Sequence, residues 1–222
     1  MAKRGLRCSF HSRVSAGGGV AGYDFLIYGF FGIIDWNNIF MDLTIILGPM
    51  KSGKSFNLIS YFAPLKYTDI SFALYQSDRN VRDAQISSRN GLALEAQKIH
   101  SLHDIADNAA SVIGIDELHM FEPDDVVAIA RLLQKGTKII AAGLDLDYKG
   151  NMFEVVKKLL ELGPKEVLYK RAVCEKCRLP KAVYSQVFHN LVPVTNGMPS
   201  VLPDDGTFTY QPVCHACFIR AV

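Results

Sequence analysis

Gly48-Pro49-Met50-Lys51-Ser52-Gly53-Lys54-Ser55 ends an apolar run, Leu43 to Leu47, and opens a helix-compatible one, Phe56 to Leu65. A strand, a glycine turn and a helix start are predicted in that order. The spacing G-x-x-x-x-G-K-[ST] has a mechanical reason at each fixed position. Its glycines let the backbone curl so that successive N–H groups converge on one concavity, which phosphate oxygens can fill. Lys54 then reaches the terminal phosphates as a point charge, Ser55 offers a hydroxyl to Mg²⁺, and the helix start adds the positive end of its dipole. The stretch from Gly48 to Ser55 reads as a cradle for a nucleoside triphosphate. An ordinary glycine turn with an incidental lysine is the plainer alternative, and the flanking strand and helix weigh against it.

Working outward, the chain alternates β and α. Strands are expected at residues 70–75, 96–100, 111–115, 137–144 and 166–170, and helices at about 101–108, 124–134 and 151–162. Gln76 to Gly91 is polar, carries Arg79, Arg82 and Arg89, and reads as a loop. Strands separated by helices imply a mostly parallel sheet with helices on both faces, an α/β fold of the P-loop NTPase type. The strand Ser111-Val-Ile-Gly-Ile115 ends in Asp116-Glu117. Carboxylates there leave the sheet at the same end as the phosphate loop. Asp116 is the expected Mg²⁺ group and Glu117 the candidate general base.

The 222 residues carry Lys+Arg 24 against Asp+Glu 22, a net charge of +2, so nothing in the balance points to a nucleic-acid partner. Four of the five cysteines form two pairs, Cys174/Cys177 and Cys214/Cys217, separated by 36 residues. In an intracellular chain such pairs suit one tetrahedral Zn²⁺ held by four thiolates, with no open position and hence a structural role. The intervening stretch contains Pro180, Pro193, Pro199, Pro203 and Pro212, so a long excursion is expected, pinned at both ends by metal and able to fold over a substrate.

Residues 1–40 differ in character: a basic start, Gly17-Gly18-Gly19, then the apolar run Phe25 to Ile34. That run is about half the length needed to span a bilayer, and no stable membrane insertion is expected. The preferred reading is a leader outside the core, with Met41 as the functional start. An interfacial anchor or targeting segment and an integral structural element remain the alternatives. The expected organisation is therefore a leader, 1–40, a P-loop domain, 41–170, and a zinc-binding lasso, 171–222.

From Met41 to about Cys217 the sequence resembles the thymidine kinases of the cytosolic (type II) class. The resemblance rests on Gly-Pro-Met-x-Ser-Gly-Lys-Ser, Ile-Asp-Glu, Gly-Leu-Asp-x-Asp-Tyr-x-Gly-x-x-Phe and both cysteine pairs in family order. It implies transfer of the ATP γ-phosphate to the 5′-hydroxyl of thymidine in cytoplasmic nucleotide salvage, a homotetramer, a structural zinc, feedback by dTTP and a lasso that binds the nucleoside. By the same resemblance Glu117 matches the catalytic base. Gly48 to Ser55, Asp116, Arg79 and Arg89 match the ATP and Mg²⁺ groups. Met50, Met120, Leu144, Tyr148, Phe153, Ser185 and Tyr210 match the thymine pocket. The chain departs from the family at Leu118-His119-Met120-Phe121, where Gln-Phe-Phe is usual, and at Asp78-Arg79-Asn80, one residue out of register. A non-kinase P-loop ATPase with a zinc ribbon, acting on a macromolecular partner, is the competing reading. An inactive regulatory homologue is a third.

Overall fold

Leu43, Ile45 and Leu47 on one side of the first strand and Ile46 on the other are all buried, the pattern of a strand covered on both faces. A computed structural model describes residues 42–81, 85–87, 93–105, 110–202 and 205–220. The leader, Met41, Arg82 and Arg89 lie outside these described residues, so the expectations placed on them are not addressed by it.

In chain order the elements are β1 (Leu43–Leu47), α1 (Lys54–Phe62), β2 (Phe72–Ser77), β3 (Ile86–Ser87), β4 (Ala93–Leu94), β5 (Gln97–Ile99), β6 (Val112–Asp116), α2 (Val126–Gln134), β7 (Lys138–Gly143), α3 (Glu154–Glu161), β8 (Glu166–Tyr169), β9 (Tyr184–His189), β10 (Val192–Pro193) and β11 (Phe208–Val213). Six of them form one sheet in the order β5-β2-β6-β7-β1-β8, and every pairing in it is parallel. This is the expected α/β architecture.

Because side chains alternate across a strand, parity divides the core. Ile45, Leu47, Ile113, Ile115, Ile139 and Ala141 share one cluster with Ile129, Leu132 and Leu133 of α2 and Val155, Val156 and Leu159 of α3. Ile46, Val112, Ile140 and Ala142 point the other way, to Leu58, Ile59 and Phe62 of α1. Phe62 is fully buried, which stabilises by about 2–3 kcal/mol relative to leaving it in water.

Several boundaries differ from expectation for local reasons. The first helix stops at Phe62 and continues as a 3-10 turn, Ala63–Tyr67, because Pro64 has no N–H to give an α-helical ladder. The second strand candidate, β2, begins two residues late, leaving Ile70 exposed, and runs into the segment read as loop. Further along, that segment contains β3, which pairs antiparallel with β4 just beyond its end. At Ser101 the described residues form a 3-10 turn, Leu102–Ile105, with the Ser101 N–H donating to Asp104 Oδ2 at 3.0 Å. The third helix starts at Glu154, not Asn151, because Asp147 Oδ1 accepts from the N–H groups of Lys149 and Asn151, both at 2.9 Å, and Met152 bridges back to Leu146.

The long excursion between the cysteine pairs contains structure that the sequence reading did not anticipate: a three-stranded antiparallel sheet, β10-β9-β11. Val187, Val194 and Leu202 from it pack on Tyr148 of the main domain.

Candidate active site

All six strands being parallel, their C-terminal ends share one edge, and that edge collects the candidate groups. The registers pair Leu47 with Gly143 across β1 and β7 and Ile115 with Ala141 across β6 and β7. The phosphate loop, the 144–153 segment and Asp116-Glu117 therefore emerge side by side, where open α/β sheets bind ligands.

The phosphate loop is shaped by one close backbone approach and two left-handed residues. Gly48 sits at φ +145, and a Cβ there would lie 2.4 Å from the Lys170 carbonyl oxygen, so only glycine fits against the end of β8. Lys51 and Gly53 take φ +64 and +82, which turns the chain into α1. Lys54 is buried and its ammonium donates to the Pro49 carbonyl oxygen at 2.9 Å, closing the loop on itself. Burial holds the Lys54 pKa below its ordinary value, while Glu117, Asp116 and Asp145 pull it partly back. Three carboxylates thus surround one cation. Ser52 Oγ and Asp145 Oδ1 are buried without a hydrogen-bond partner. The Ser52 hydroxyl can donate to a phosphate oxygen, while the Asp145 carboxylate oxygen, an acceptor, together with the Ser55 hydroxyl and the Asp116 carboxylate, suits a hard cation such as Mg²⁺.

Glu117 leaves β6 in the left-handed region, φ 52 and ψ 41, and heads a 3-10 turn, Leu118–Met120. A non-glycine residue there costs about 1 kcal/mol and persists because its surroundings impose it. The imposing surface is Gly143, where a Cβ would meet Leu118 Cβ at 2.9 Å, so the turn packs onto bare backbone of β7. Glu117 Oε2 stands 3.6 Å from His119 Nδ1.

His119 is buried, accepts a hydrogen bond from the Leu144 N–H at Nδ1 (3.4 Å), and packs against Phe153 with ring centroids 5.0 Å apart. Burial, then the positive charge of Lys54, pushes its pKa down from 6.5 to about 3, so it is neutral at physiological pH. The unfolded chain therefore takes up this proton first as pH falls. His119 leaves stability essentially unchanged well above pH 6.5 and lowers it as pH drops from there toward 3, by a total on the order of 5 kcal/mol. Urea midpoints of the unmodified chain and His119→Gln, compared at pH 7 and 4.5, should show a smaller acid loss in the variant. An equal loss would mean the ring is not the group that titrates.

The expected nucleoside residues divide. Leu144, Tyr148, Phe153, Ser185 and Tyr210 line one narrow cavity of about 20 Å³, with His119 and Leu202. It shares His119, Phe153 and Ser200 with a cavity of about 810 Å³, within the size range of small-molecule sites. The lasso crosses here: Tyr148 Oη donates to the Met198 carbonyl oxygen at 2.6 Å, and Ser200 Oγ donates to Asp147 Oδ2 at 3.1 Å. Met50 enters by its backbone, whose N–H donates to Ser185 Oγ at 2.9 Å. Met120 is buried and is not among the residues lining either cavity. The Met120 carbonyl oxygen accepts from Arg79 Nη1 at 3.0 Å, while Arg79 Nη2 pairs with Glu122 at 2.5 Å, which places this guanidinium on the larger cavity. Asp145 is the site residue that sequence reasoning left out. The Gly-Leu-Asp pattern following β7 was the signal for it.

At the other end of the lasso one thiol sulfur from each of Cys174, Cys177, Cys214 and Cys217 lies within 4.8 Å of the others. Cys177 and Cys214 Sγ are 3.8 Å apart, the edge of about 3.8 Å that Zn–S bonds of ~2.3 Å give a regular tetrahedron. Burial pushes the Cys174 thiol up, but N–H groups of Cys177, Cys214 and Lys176 outweigh it and bring its pKa down to about 6. The four cysteines fit zinc.

Residues 41–218 match the sequence model of a family described as thymidine kinase. The chain belongs to the thymidine kinase family. Known proteins named thymidine kinase resemble it over most of their length. That of Chloroflexus aurantiacus is 32% identical over 189 residues, 81% of this chain and 95% of that protein. That of Mycoplasma mobile is 30% identical over 183 residues, 80% of this chain and 87% of that one. That of Thermococcus kodakarensis is 32% identical over 182 residues, covering 78% and 91%. The macromolecule-directed ATPase reading loses its ground with this membership, and a thymidine kinase is a phosphotransferase. No helix among the described residues is long and apolar enough to cross a membrane.

Proposed function

We propose that this chain is an ATP-dependent thymidine kinase whose catalytic body spans residues 41–170, closed over its nucleoside by the lasso, 171–222. The observation that carries this reading is the convergence on one sheet edge of Lys54, Glu117 and the aromatic cavity of Tyr148, Phe153 and Tyr210. Gly48 to Ser55 cradle the triphosphate through their N–H groups, with Lys54 on the transferring phosphoryl group. Ser55 and Asp116 hold Mg²⁺, which supplies charge neutralisation between the phosphates. Arg79 and Arg89 remain the candidate arginines for phosphate contact.

The pocket walls give selectivity. A flat pyrimidine bearing a methyl group wants apolar surface and stacking, which Leu144, Tyr148, Phe153 and Tyr210 offer. Ser185 supplies a hydroxyl for a polar edge. Glu117 takes the proton of the 5′-hydroxyl as that oxygen attacks the γ-phosphorus, and ADP leaves on the opposite side. A homotetramer, feedback by dTTP and a cytoplasmic site of action belong to the same reading. They follow from the family resemblance and are open to light scattering, inhibition kinetics and fractionation.

The deciding experiment measures product from ATP with a panel of nucleosides, on the full chain and on one beginning at Met41. Thymidine monophosphate should form with both. Steady ATP hydrolysis indifferent to nucleoside would sink the reading.

A further inference from the structure

The phosphate loop is tied to the lasso at its tip as well as to its own helix. Lys51 Nζ forms an ion pair with the Glu175 carboxylate, and the adjoining Met50 N–H donates to Ser185 Oγ at 2.9 Å. Glu175 stands between Cys174 and Cys177, and its N–H donates to the Pro212 carbonyl oxygen of β11 at 2.9 Å. One residue therefore joins three parts: the cysteine knuckle, the strand that carries Tyr210, and the loop expected to hold phosphate. The side chains of Lys51 and Glu175 are only 28% and 30% accessible. Lys51 is also a non-glycine residue at φ +64, a conformation that persists only where surrounding contacts impose it.

We propose that Glu175 is a positioning residue for the phosphate loop, holding Lys51 so that the loop keeps its triphosphate-binding shape, and that it acts on ATP affinity without touching ATP. This rests on the assignment of Gly48 to Ser55 to ATP. Two anchor points on neighbouring residues, Met50 by backbone and Lys51 by side chain, resist rotation of the loop as a single anchor could not. The consequence is a mechanical link from the cysteine cluster to the phosphate end of the site, although the cluster holds no catalytic group.

The test is a double-mutant cycle on full-length protein: unmodified, Glu175→Gln, Lys51→Met and the pair together. The affinity for a non-hydrolysable ATP analogue and for thymidine, kcat, and bound zinc are measured for each. A partly exposed ion pair is of a size to shift affinity by about two- to fivefold. Glu175→Gln should weaken the ATP analogue by that factor and raise the ATP KM equally. At saturating ATP its kcat should remain, with thymidine affinity and zinc content unchanged. In the Lys51→Met background the same change should have no further effect. Unchanged or tightened analogue binding in Glu175→Gln would overturn the proposal, as would additive effects of the two substitutions or loss of zinc from Glu175→Gln. If the unmodified chain fails to bind the analogue at all, the ATP assignment itself falls, which the first measurement of the cycle distinguishes.

Discussion

Glu117→Gln is expected to lower turnover by roughly 10²- to 10⁴-fold while ATP and thymidine still bind. The amide keeps the size and hydrogen-bonding reach of the carboxylate and removes its basicity, so what is lost is proton removal from the attacking hydroxyl. Lys54, Ser55 and Asp116 are untouched, and so is the aromatic cavity of Tyr148, Phe153 and Tyr210. The surroundings of Glu117 make the substitution a clean one. Its left-handed backbone is set by the packing of Leu118 on Gly143, not by its own side chain, and the variant should fold. Direct binding titrations of both ligands beside a kinase assay decide the matter. Near-full phosphorylation by the variant would show that another group is the base, and loss of both ligands would show that Glu117 is structural. Lys54→Ala is less informative. That cation, surrounded by three carboxylates and donating to Pro49, would cost both loop shape and phosphate attraction.

What was legible in the sequence had short-range causes. The phosphate loop, the strand ending in Asp116-Glu117 and the two cysteine pairs are each defined within eight residues, and the six-stranded parallel sheet follows from apolar runs that read as strands buried on both faces. The lasso sheet escaped because its prolines read as a long excursion. Pro193 lies in β10 and Pro212 in β11, the two edge strands of β10-β9-β11, where a missing N–H can face away from the ladder. Only β9, free of proline, is central. Other features were beyond reach for a different reason. The Lys51–Glu175 pair joins residues 124 positions apart, and neither residue belongs to a motif position whose chemistry would announce the contact. His119 was visible as a departure from the usual Gln-Phe-Phe, yet its neutral state depends on burial and on Lys54, which only the fold supplies.

Stripping the metal, or removing one of its thiolates by Cys174→Ser, should destabilise the lasso more than any single surface change. The reason lies in what the lasso has to hold it. Its own fully buried cluster at the knuckle is Ala172, Cys174, Ala182, Val213 and Cys214, small side chains against which Tyr184, Cys217 and Phe218 pack only partly buried. A second cluster, Val187, Val194 and Leu202, leans on Tyr148. With so little core, the free energy of binding four thiolates to one Zn²⁺ is a large share of the folding free energy of this region. Four thiols without a metal would also leave charge poorly placed, since Cys174 is biased toward thiolate while Cys217, hydrogen-bonded to Cys214, is pushed up to about 12. A loss of about 3 kcal/mol or more corresponds, for a chain of this size, to a melting temperature lower by roughly 10 °C. The damage should appear first between Cys174 and Cys217, as protease sensitivity in β9 and β11, while the parallel sheet keeps its protection. Thymidine affinity should fall with it, because Ser185 and Tyr210 sit on those strands, and phosphorylation at saturating thymidine should fall less. Metal analysis must return close to one Zn²⁺ per unmodified chain. A value far below one, or an unchanged melting temperature and protease pattern in Cys174→Ser, would leave the cysteine cluster without the structural role assigned to it.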